Sequence, residues 1–262
     1  MLDAKLIQSV TNIAHQAGDA IMEIYQQDFA VYEKSDQSPL TEADLAAHNC
    51  IVDGLQKVSD LPILSEESAD IPWQVRQNWS QYWLVDPLDG TKEFIKKNGE
   101  FTVNIALIDN GVPVFGVVFA PVLKQTYVGV LGQGAYKLEG DTRRAITPKT
   151  KQATESWRIV GSRSHQSPQI QALLDSLEGD TELVAMGSSL KLCLVAEGAA
   201  HLYPRLGPTS EWDTGAAHAV VSAAGGKVTV IEDATNVFDK NAKALSYNQK
   251  ESVLNPYFLV SC

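Results

Sequence analysis

Carboxylates are the residues of this chain whose types and spacing best suit chemistry. Each acidic group stands where a predicted helix or strand begins or ends, and such positions can converge at one point of a fold. Carboxylate oxygens are the ligands that Mg2+ prefers, so the pattern predicts a magnesium site. The groups, widely separated along the sequence, are Asp44, Glu66-Glu67, Asp86-Pro87-Leu88-Asp89-Gly90-Thr91 and Glu211-Trp212-Asp213.

The hexapeptide at residues 86–91 has features that suit a phosphate oxygen as well as a cation. It follows the apolar segment 83–85 directly. Pro87 fixes its own φ and has no N–H to donate, whereas Gly90 permits a tight turn whose N–H groups point outward. The alternative for this fragment alone is a solvated turn or helix cap, since Asp-x-x-Asp-Gly is common in such places.

The first half of the chain must position most of these carboxylates. Apolar residues recur with helical spacing from Leu6 to Ile24, and a second helix is predicted at about residues 41–58. Strands are predicted at 62–65, 82–85 and 101–108, followed by an Asn110-Gly111 hairpin and strands at 112–120, 125–131 and 134–138. Residues 1–150 are therefore predicted to form an α+β lobe, with two helices against a mostly antiparallel sheet that carries most metal ligands.

The second half has a different rhythm. After a polar stretch at residues 147–156, predicted strands and helices alternate: strands at 157–161, 183–186, 200–203 and 227–231, and helices at 170–177, 188–196 and 214–224. Such alternation is typical of α/β architecture. Residues 151–262 are therefore predicted to form an α/β lobe that carries Asp213.

Composition and charge exclude several classes of protein. The chain has 262 residues and a formal net charge of −11, which argues against general nucleic-acid binding because nucleic acids are polyanions. The N-terminal residues lack the pattern of a secretory signal, and no apolar run reaches the ~18 residues of a membrane span. Three widely spaced cysteines indicate a reducing compartment rather than a disulfide framework. We therefore expect a cytoplasmic protein.

Taken in order, the acidic motifs resemble those of a known superfamily. Asp44, Glu66-Glu67, the hexapeptide 86–91 and Trp212-Asp213 match the signature of the lithium-sensitive, Mg2+-dependent phosphomonoesterases, which include inositol monophosphatases, fructose-1,6-bisphosphatases and bisphosphate nucleotidases. The resemblance covers nearly the whole chain. It implies a layered αβαβα sandwich of the inositol monophosphatase and fructose-1,6-bisphosphatase type, and it implies bound Mg2+, with two or three ions.

The resemblance also implies roles for individual residues. Thr91 and Asp44 resemble a dyad that orients a hydroxyl toward the attacking water, and Glu67 resembles an acid that holds a water beside the ions. The backbone of Gly90 and Thr91 would cradle the phosphate. The residues that resemble metal ligands are Glu66, Asp86, Asp89 and Asp213 through carboxylates and Leu88 through its carbonyl oxygen; Glu66, Leu88, Asp89 and Asp213 would thereby also contact the substrate.

Residues outside the shared motifs point to the substrate. The segment from Lys92 to Asn104 resembles the CysQ-type 3'(2'),5'-bisphosphate nucleotidases, and its Lys-Glu-Phe departs from the Thr-Asn-Phe that is usual in inositol monophosphatases. By the same resemblance, four residues of the C-terminal lobe would line a nucleotide-side pocket and its uncleaved phosphate: His165, Ser188, Lys191 and Arg205. Lysine and arginine suit a second phosphate far from Mg2+.

Structural roles remain open for three of these four residues. His165 could be a histidine at a helix start, satisfied by the backbone. Ser188 could cap the following helix, with or without a substrate contact. Lys191 could be a solvent-exposed lysine.

The predicted function is hydrolysis of adenosine 3'(2'),5'-bisphosphate to AMP and phosphate by metal-activated water attack, in support of sulfate assimilation. The alternatives are an inositol or sugar monophosphatase, or a non-catalytic protein that binds metal and nucleotide. Monomer and homodimer are both compatible with the sequence. A peripheral position on the cytoplasmic face of the inner membrane also stays open, although no amphipathic anchor is evident.

Overall fold

The computed structural model describes residues 2–26, 31–33, 39–161, 168–232, 238–239 and 241–262. The helices are α1 (Ala4–Tyr25), α2 (Glu42–Gln56), α3 (Trp73–Arg76), α4 (Thr91–Ile95), α5 (Pro168–Ser176), α6 (Leu190–Ala196) and α7 (Gly215–Ala224), and a 3-10 helix covers Glu66–Ser68. The strands are β1 (Val31–Glu33), β2 (Pro39–Thr41), β3 (Ile63–Ser65), β4 (Gln81–Asp89), β5 (Thr102–Asp109), β6 (Val112–Ala120), β7 (Gln125–Val130), β8 (Gly134–Glu139), β9 (Thr142–Ile146), β10 (Trp157–Gly161), β11 (Thr181–Ala185), β12 (Leu202–Arg205), β13 (Lys227–Val230) and β14 (Phe258–Ser261).

These elements stack in five layers. Strands β3 to β9 form a seven-stranded sheet in sequence order, in which only β3 and β4 pair in parallel. A five-stranded sheet has the order β11-β10-β12-β14-β13. One core cluster joins α1 and α2 to the large sheet, a second joins both sheets through α6 and α7, and a third joins α5 to the small sheet. The predicted αβαβα sandwich is confirmed.

Strand periodicity explains how the small sheet serves two cores. Along β12, Leu202 belongs to the core with α5, whereas the next residue, Tyr203, belongs to the core with α6 and α7. Leu259 and Val260 of β14 divide in the same way. Successive side chains of a strand point to opposite faces, so a sheet covered on both sides buries consecutive apolar residues.

Helix α7 lies in backbone contact with the large sheet. A Cβ atom added to Gly116 of β6 would overlap the carbonyl oxygen of Ala216, and one added to Gly129 of β7 would overlap the Cα atom of Val220. Glycine is required at both positions because the helix comes closer than any side chain permits. This close packing fixes the position of the chain that precedes α7 relative to the large sheet.

Most predicted elements are present with ends shifted by no more than three residues, and β4 extends four residues beyond its predicted end. The elements that were not predicted are α3, α4, β1, β2, β9, β14 and the 3-10 helix. The seven-stranded sheet ends at Ile146 and the five-stranded sheet begins at Trp157. The division into lobes at residue 150 stays a prediction. Among the described residues, no helix has both the length and the apolar character of a membrane span.

Candidate metal and phosphate site

The end of β4 carries the centre of the site. Asp86 is buried, and its Oδ1 accepts a hydrogen bond of 3.1 Å from the Leu88 N–H. The pairing register between β4 and β5 shifts between Asp86 and Asp89, so the strand is irregular there. Leu88 packs its side chain into the core with α1 and α2. Because the side chain is buried, only the backbone carbonyl oxygen of Leu88 is available for the ligand role that the family resemblance implies.

Gly90 turns the chain from β4 into α4. It has a φ of 95°, in the left-handed region that glycine adopts without strain, and it is the residue before the first turn of α4. Thr91 begins α4, and its hydroxyl lies 3.5 Å from the Leu88 carbonyl oxygen. The turn therefore brings the predicted backbone cradle and the predicted Thr91 hydroxyl next to the Leu88 carbonyl.

The other carboxylates converge on Asp86. Parallel pairing of β3 with β4 aligns Ser65 with Val85, so Glu66 and Asp86 follow at the same edge of the sheet. Burial raises the pKa of Asp86 well above its ordinary value, and four nearby carboxylates raise it further: Glu66, Asp89, Asp213 and Asp44. The structure thus brings together acidic groups from four separate parts of the chain.

An all-oxygen, strongly anionic cluster is the donor set that a hard divalent cation fits. Burial and the Asp89 charge also raise the pKa of Asp213 above its usual range. Both shifts reflect the cost of holding several buried negative charges together, and a divalent cation removes that cost. The carboxylates therefore match a divalent cation in donor type and in charge. Their side chains are not yet arranged around one ion, since no three His, Cys, Asp or Glu side chains of the described residues form a group that could hold a metal ion.

Protein donors hold two of these carboxylates. Oδ2 of Asp89 accepts from the Ser189 N–H at 2.6 Å and lies 2.7 Å from the Ser189 hydroxyl. Oδ2 of Asp213 accepts from the Ser210 N–H at 3.0 Å, which partly offsets the rise in the Asp213 pKa. These hydrogen bonds fix the orientation of the Asp89 and Asp213 carboxylates relative to Ser189 and Ser210.

Glu67 lies beside a histidine of α2. Both Glu66 and Glu67 are half-buried on the 3-10 helix after β3. His48 Nδ1 is 2.9 Å from the Ser65 hydroxyl oxygen. Burial lowers the pKa of His48 below its ordinary value, and the nearby Glu67 charge partly opposes that shift. His48 thus connects α2, which carries Asp44 in its first turn, to the segment of Glu66 and Glu67.

The structure describes three of the four predicted nucleotide-side residues. Arg205, on β12, donates from its guanidinium to the Pro208 carbonyl oxygen at 2.7 Å, on the segment that leads to Asp213, and its charge opposes the rise in the Asp213 pKa. The ammonium of Lys191, on α6, is 5.9 Å from the ring centre of Tyr203, two residues before Arg205. His165 lies outside the described residues.

Ser188 does not cap α6. It is buried with a φ of 42°, and the residue that precedes the first turn of α6 is Ser189, whose side chain makes no capping hydrogen bond. The capping alternative for Ser188 is therefore wrong. Its hydroxyl accepts a long hydrogen bond of 3.4 Å from Thr102 of β5, beside the cluster.

Two residues in direct contact with the site, Asn104 and Ser189, had no predicted role. Asn104 of β5 donates to the Ser189 hydroxyl oxygen at 2.8 Å, and the Ser189 hydroxyl in turn reaches Asp89. A polar Asn104 inside the buried apolar run of β5 was the available signal. Ser189 gave no such signal because serines are ordinary at helix starts.

Glu211, which stands in one of the predicted acidic groups, supports the segment that carries Asp213 from the side of Asn248. Both carboxylate oxygens accept from the Asn248 N–H, at 3.0 and 2.9 Å. The Asn248 side chain accepts from the buried Arg76 guanidinium at 2.6 Å. Burial raises the pKa of Glu211 to about 7, against the opposing effects of the Asn248 hydrogen bond and the charges of Lys250 and Arg76.

Comparison with known proteins gives one consistent family. The family model described as "Inositol monophosphatase family" matches residues 3–256. The chain is 50% identical to the 3'(2'),5'-bisphosphate nucleotidase CysQ of Escherichia coli K12 over 260 residues, which cover 98% of this chain and 99% of that protein.

Solved structures agree. The crystal structure of CysQ from Bacteroides thetaiotaomicron matches with a TM-score of 0.84 at 42% identity, covering 98% of this chain and 97% of the other. The suhB protein of Bartonella henselae shares the fold, with a TM-score of 0.76 at 23% identity and coverage of 98% and 94%. On its sequence, its layers and its carboxylate cluster together, this chain belongs to the inositol monophosphatase family.

Proposed function

We propose that this chain is a Mg2+-dependent 3'(2'),5'-bisphosphate nucleotidase that converts adenosine 3',5'-bisphosphate to AMP and phosphate. The observation that carries the proposal is the carboxylate cluster itself, in which the Ser189 hydroxyl contacts both Asp89 and the Asp213 backbone. Arg205 donates to the Pro208 carbonyl oxygen at 2.7 Å, on the segment that leads to Asp213. Carboxylates that suit metal ions and a cation that suits a second phosphate are the two features a bisphosphate requires. The relatives named bisphosphate nucleotidases, at 50% identity, support the same substrate.

Glu66, Asp86, Asp89, Asp213 and the Leu88 carbonyl would hold two or three Mg2+ ions. When bound, such ions neutralise the phosphate and lower the pKa of the attacking water. Asp86 and Asp213 fit this task because burial raises the pKa of each and so disfavours its charged form until positive charge is supplied.

The chain's own groups position the substrate and the water. We assign the N–H groups of Gly90 and Thr91 to the oxygens of the phosphate to be cleaved. Asp44 would accept a hydrogen bond from the Thr91 hydroxyl, whose oxygen would accept a hydrogen bond from the attacking water. As the water attacks phosphorus, its proton would pass to the Thr91 oxygen while the Thr91 proton passes to Asp44, and Glu67 would hold a further water by accepting its hydrogen bond.

The uncleaved phosphate needs its own cations. Lys191 and Arg205 stand on α6 and β12, on the small-sheet side of the cluster, and we assign both to this phosphate. Ser188 and His165 would complete the nucleotide contacts. We further propose a place in sulfate assimilation in the cytoplasm, in keeping with the free thiols of Cys50, Cys193 and Cys262.

The test is phosphate release with Mg2+ from three substrates: adenosine 3',5'-bisphosphate, AMP and inositol 1-phosphate. The bisphosphate is expected to give the highest kcat/KM by at least about tenfold, since one charge-assisted contact is worth ~1.5 kcal/mol or more. Asp86→Asn is the inactive control. A preference for inositol 1-phosphate would replace the proposal by an inositol phosphatase, and turnover of none with retained nucleotide binding would indicate a binding protein.

A further inference from the structure

Within the described part of the chain, the hydrogen bonds to Asp89 converge on one oxygen. The described residues direct all their hydrogen bonds with this carboxylate to Oδ2: from the Ser189 N–H at 2.6 Å, from the Ser189 hydroxyl at 2.7 Å and from Asn104 Nδ2 at 3.5 Å. A carboxylate fixed at one oxygen cannot rotate freely. Its orientation is set before any cation arrives, and Oδ1 is left for the cation.

The Ser189 hydroxyl also reaches the other side of the site. It lies 2.7 Å from the Asp213 carbonyl oxygen as well as 2.7 Å from Asp89 Oδ2, and its oxygen accepts from Asn104 Nδ2 at 2.8 Å. The hydroxyl has one proton, so it donates to one of the two oxygens at a time. Through this group β5, the start of α6 and the segment before α7 meet at one atom.

Burial makes these contacts expensive to lose. Ser189 and Asn104 are almost fully buried, and Asn104 Oδ1 has no hydrogen-bond partner among the described residues. A buried amide with one unpartnered atom lowers the stability of the fold, so folding by itself does not account for Asn104. A role in the site explains why a polar side chain stands there in the apolar run of β5.

We propose that Ser189, supported by Asn104, is a positioning residue that orients Asp89 and fixes its distance from Asp213 for cation binding. The inference rests on the proposed function only in taking Asp89 and Asp213 as cation ligands. Neither Ser189 nor Asn104 needs to touch substrate. Loss of the hydroxyl should therefore weaken cation binding and leave substrate affinity at saturating cation nearly unchanged.

The experiment measures Mn2+ binding to the whole, substrate-free protein by electron paramagnetic resonance, for the parent, Ser189→Ala, Ser189→Thr and Asn104→Ala. Supporting partners of metal ligands are typically worth 10–100-fold in affinity, so we expect a loss of about that size for Ser189→Ala. Ser189→Thr keeps the hydroxyl and should restore most of the affinity. The matched control is Thr11→Val, which removes a buried hydroxyl from α1 that donates to Ile7 at 2.8 Å.

Nucleotidase kinetics give a second readout. Ser189→Ala should have a lower kcat that recovers as Mn2+ is raised, with KM for the bisphosphate changed less than about threefold. The double variant with Asn104→Ala should lose little more than Ser189→Ala, because Asn104 acts mainly through the serine, at 2.8 Å, and its direct contact with Asp89 is long, at 3.5 Å. If Ser189→Ala does not fold, Asn104→Ala carries the same test.

Parent-like Mn2+ affinity in Ser189→Ala, or in Asn104→Ala where only that variant folds, would overturn the proposal, and so would an equal loss in Ser189→Thr. These outcomes are independent of the substrate. A parent that binds Mn2+ but does not hydrolyse the bisphosphate would refute the proposed function alone, and the binding series would still judge Ser189.

Discussion

Glu211 provides a test of how burial and charge compete beside the site. Its pKa is raised from 4.5 to about 7, mainly by burial, although the Asn248 N–H and the charges of Lys250 and Arg76 oppose the rise. The folded protein therefore binds this proton more tightly than the unfolded chain does. The stability gained from the protonated form is complete below about pH 4.5 and is lost as pH rises through about 7.

The size of the effect follows from the shift. A shift of about 2.5 pKa units at about 1.4 kcal/mol per unit corresponds to about 3 kcal/mol of unfolding free energy. Glu211→Gln cannot ionise and keeps one oxygen to accept from the Asn248 N–H. The stability of the variant relative to the parent should therefore be about 3 kcal/mol more favourable at pH 8 than at pH 4.5.

Urea unfolding at pH 4.5, 6 and 8 with a chelator measures this difference. The other carboxylates titrate in both proteins, so their contributions cancel in the comparison. Glu182→Gln, which changes an exposed glutamate of β11, is the matched control and should alter stability by at most about 0.5 kcal/mol at each pH. A variant that is relatively less stable at pH 8 than at pH 4.5 would show that attraction to Arg76 outweighs burial, and the reasoning would be wrong.

Three further predictions concern the site itself. Asp86→Asn should lower kcat/KM at least about 100-fold in a Mg2+ titration while raising the Tm of the cation-free protein, because one buried charge is removed; near-normal turnover would contradict the metal assignment. Thr91→Ala and Asp44→Asn should each reduce kcat more than they raise KM, and steady-state kinetics of the double variant should show little additional loss, whereas additive losses would separate the two residues. Arg205→Ala and Lys191→Ala should each reduce kcat/KM for the bisphosphate about 10–100-fold and that for adenosine 3'-monophosphate, which lacks the uncleaved phosphate, much less; equal losses on both substrates would assign these cations to the fold.

The sequence was most informative where residue types have few possible conformational or chemical roles. A run such as Asp86 to Thr91 combines carboxylates, a proline and a glycine whose conformational constraints are local, so the turn at Gly90 could be predicted without knowledge of its neighbours, while the ligand roles stay a prediction. Helix α1 and strands β5 to β8 followed from apolar periodicity. The layered fold was predicted from the family resemblance, and the structure confirms it.

The contacts between layers could not be predicted. Ser189 and Asn104 are 85 residues apart, and nothing in the local sequence of either indicates the other. Strand β14 pairs with β12 and β13, both of which lie well before it in the sequence, so its position in the sheet depends on residues far from its own segment. Long-range pairing of this kind leaves no periodic trace in one segment.

The seat of α7 on Gly116 and Gly129 has a consequence for how this scaffold can diversify. Because no Cβ atom fits between helix and sheet at these two positions, replacing either glycine would push α7 away from the large sheet. Asp213 lies two residues before α7, so its distance from the carboxylates of β4 depends on this contact. Relatives that retain the carboxylate site are therefore expected to retain both glycines, although neither glycine belongs to the site.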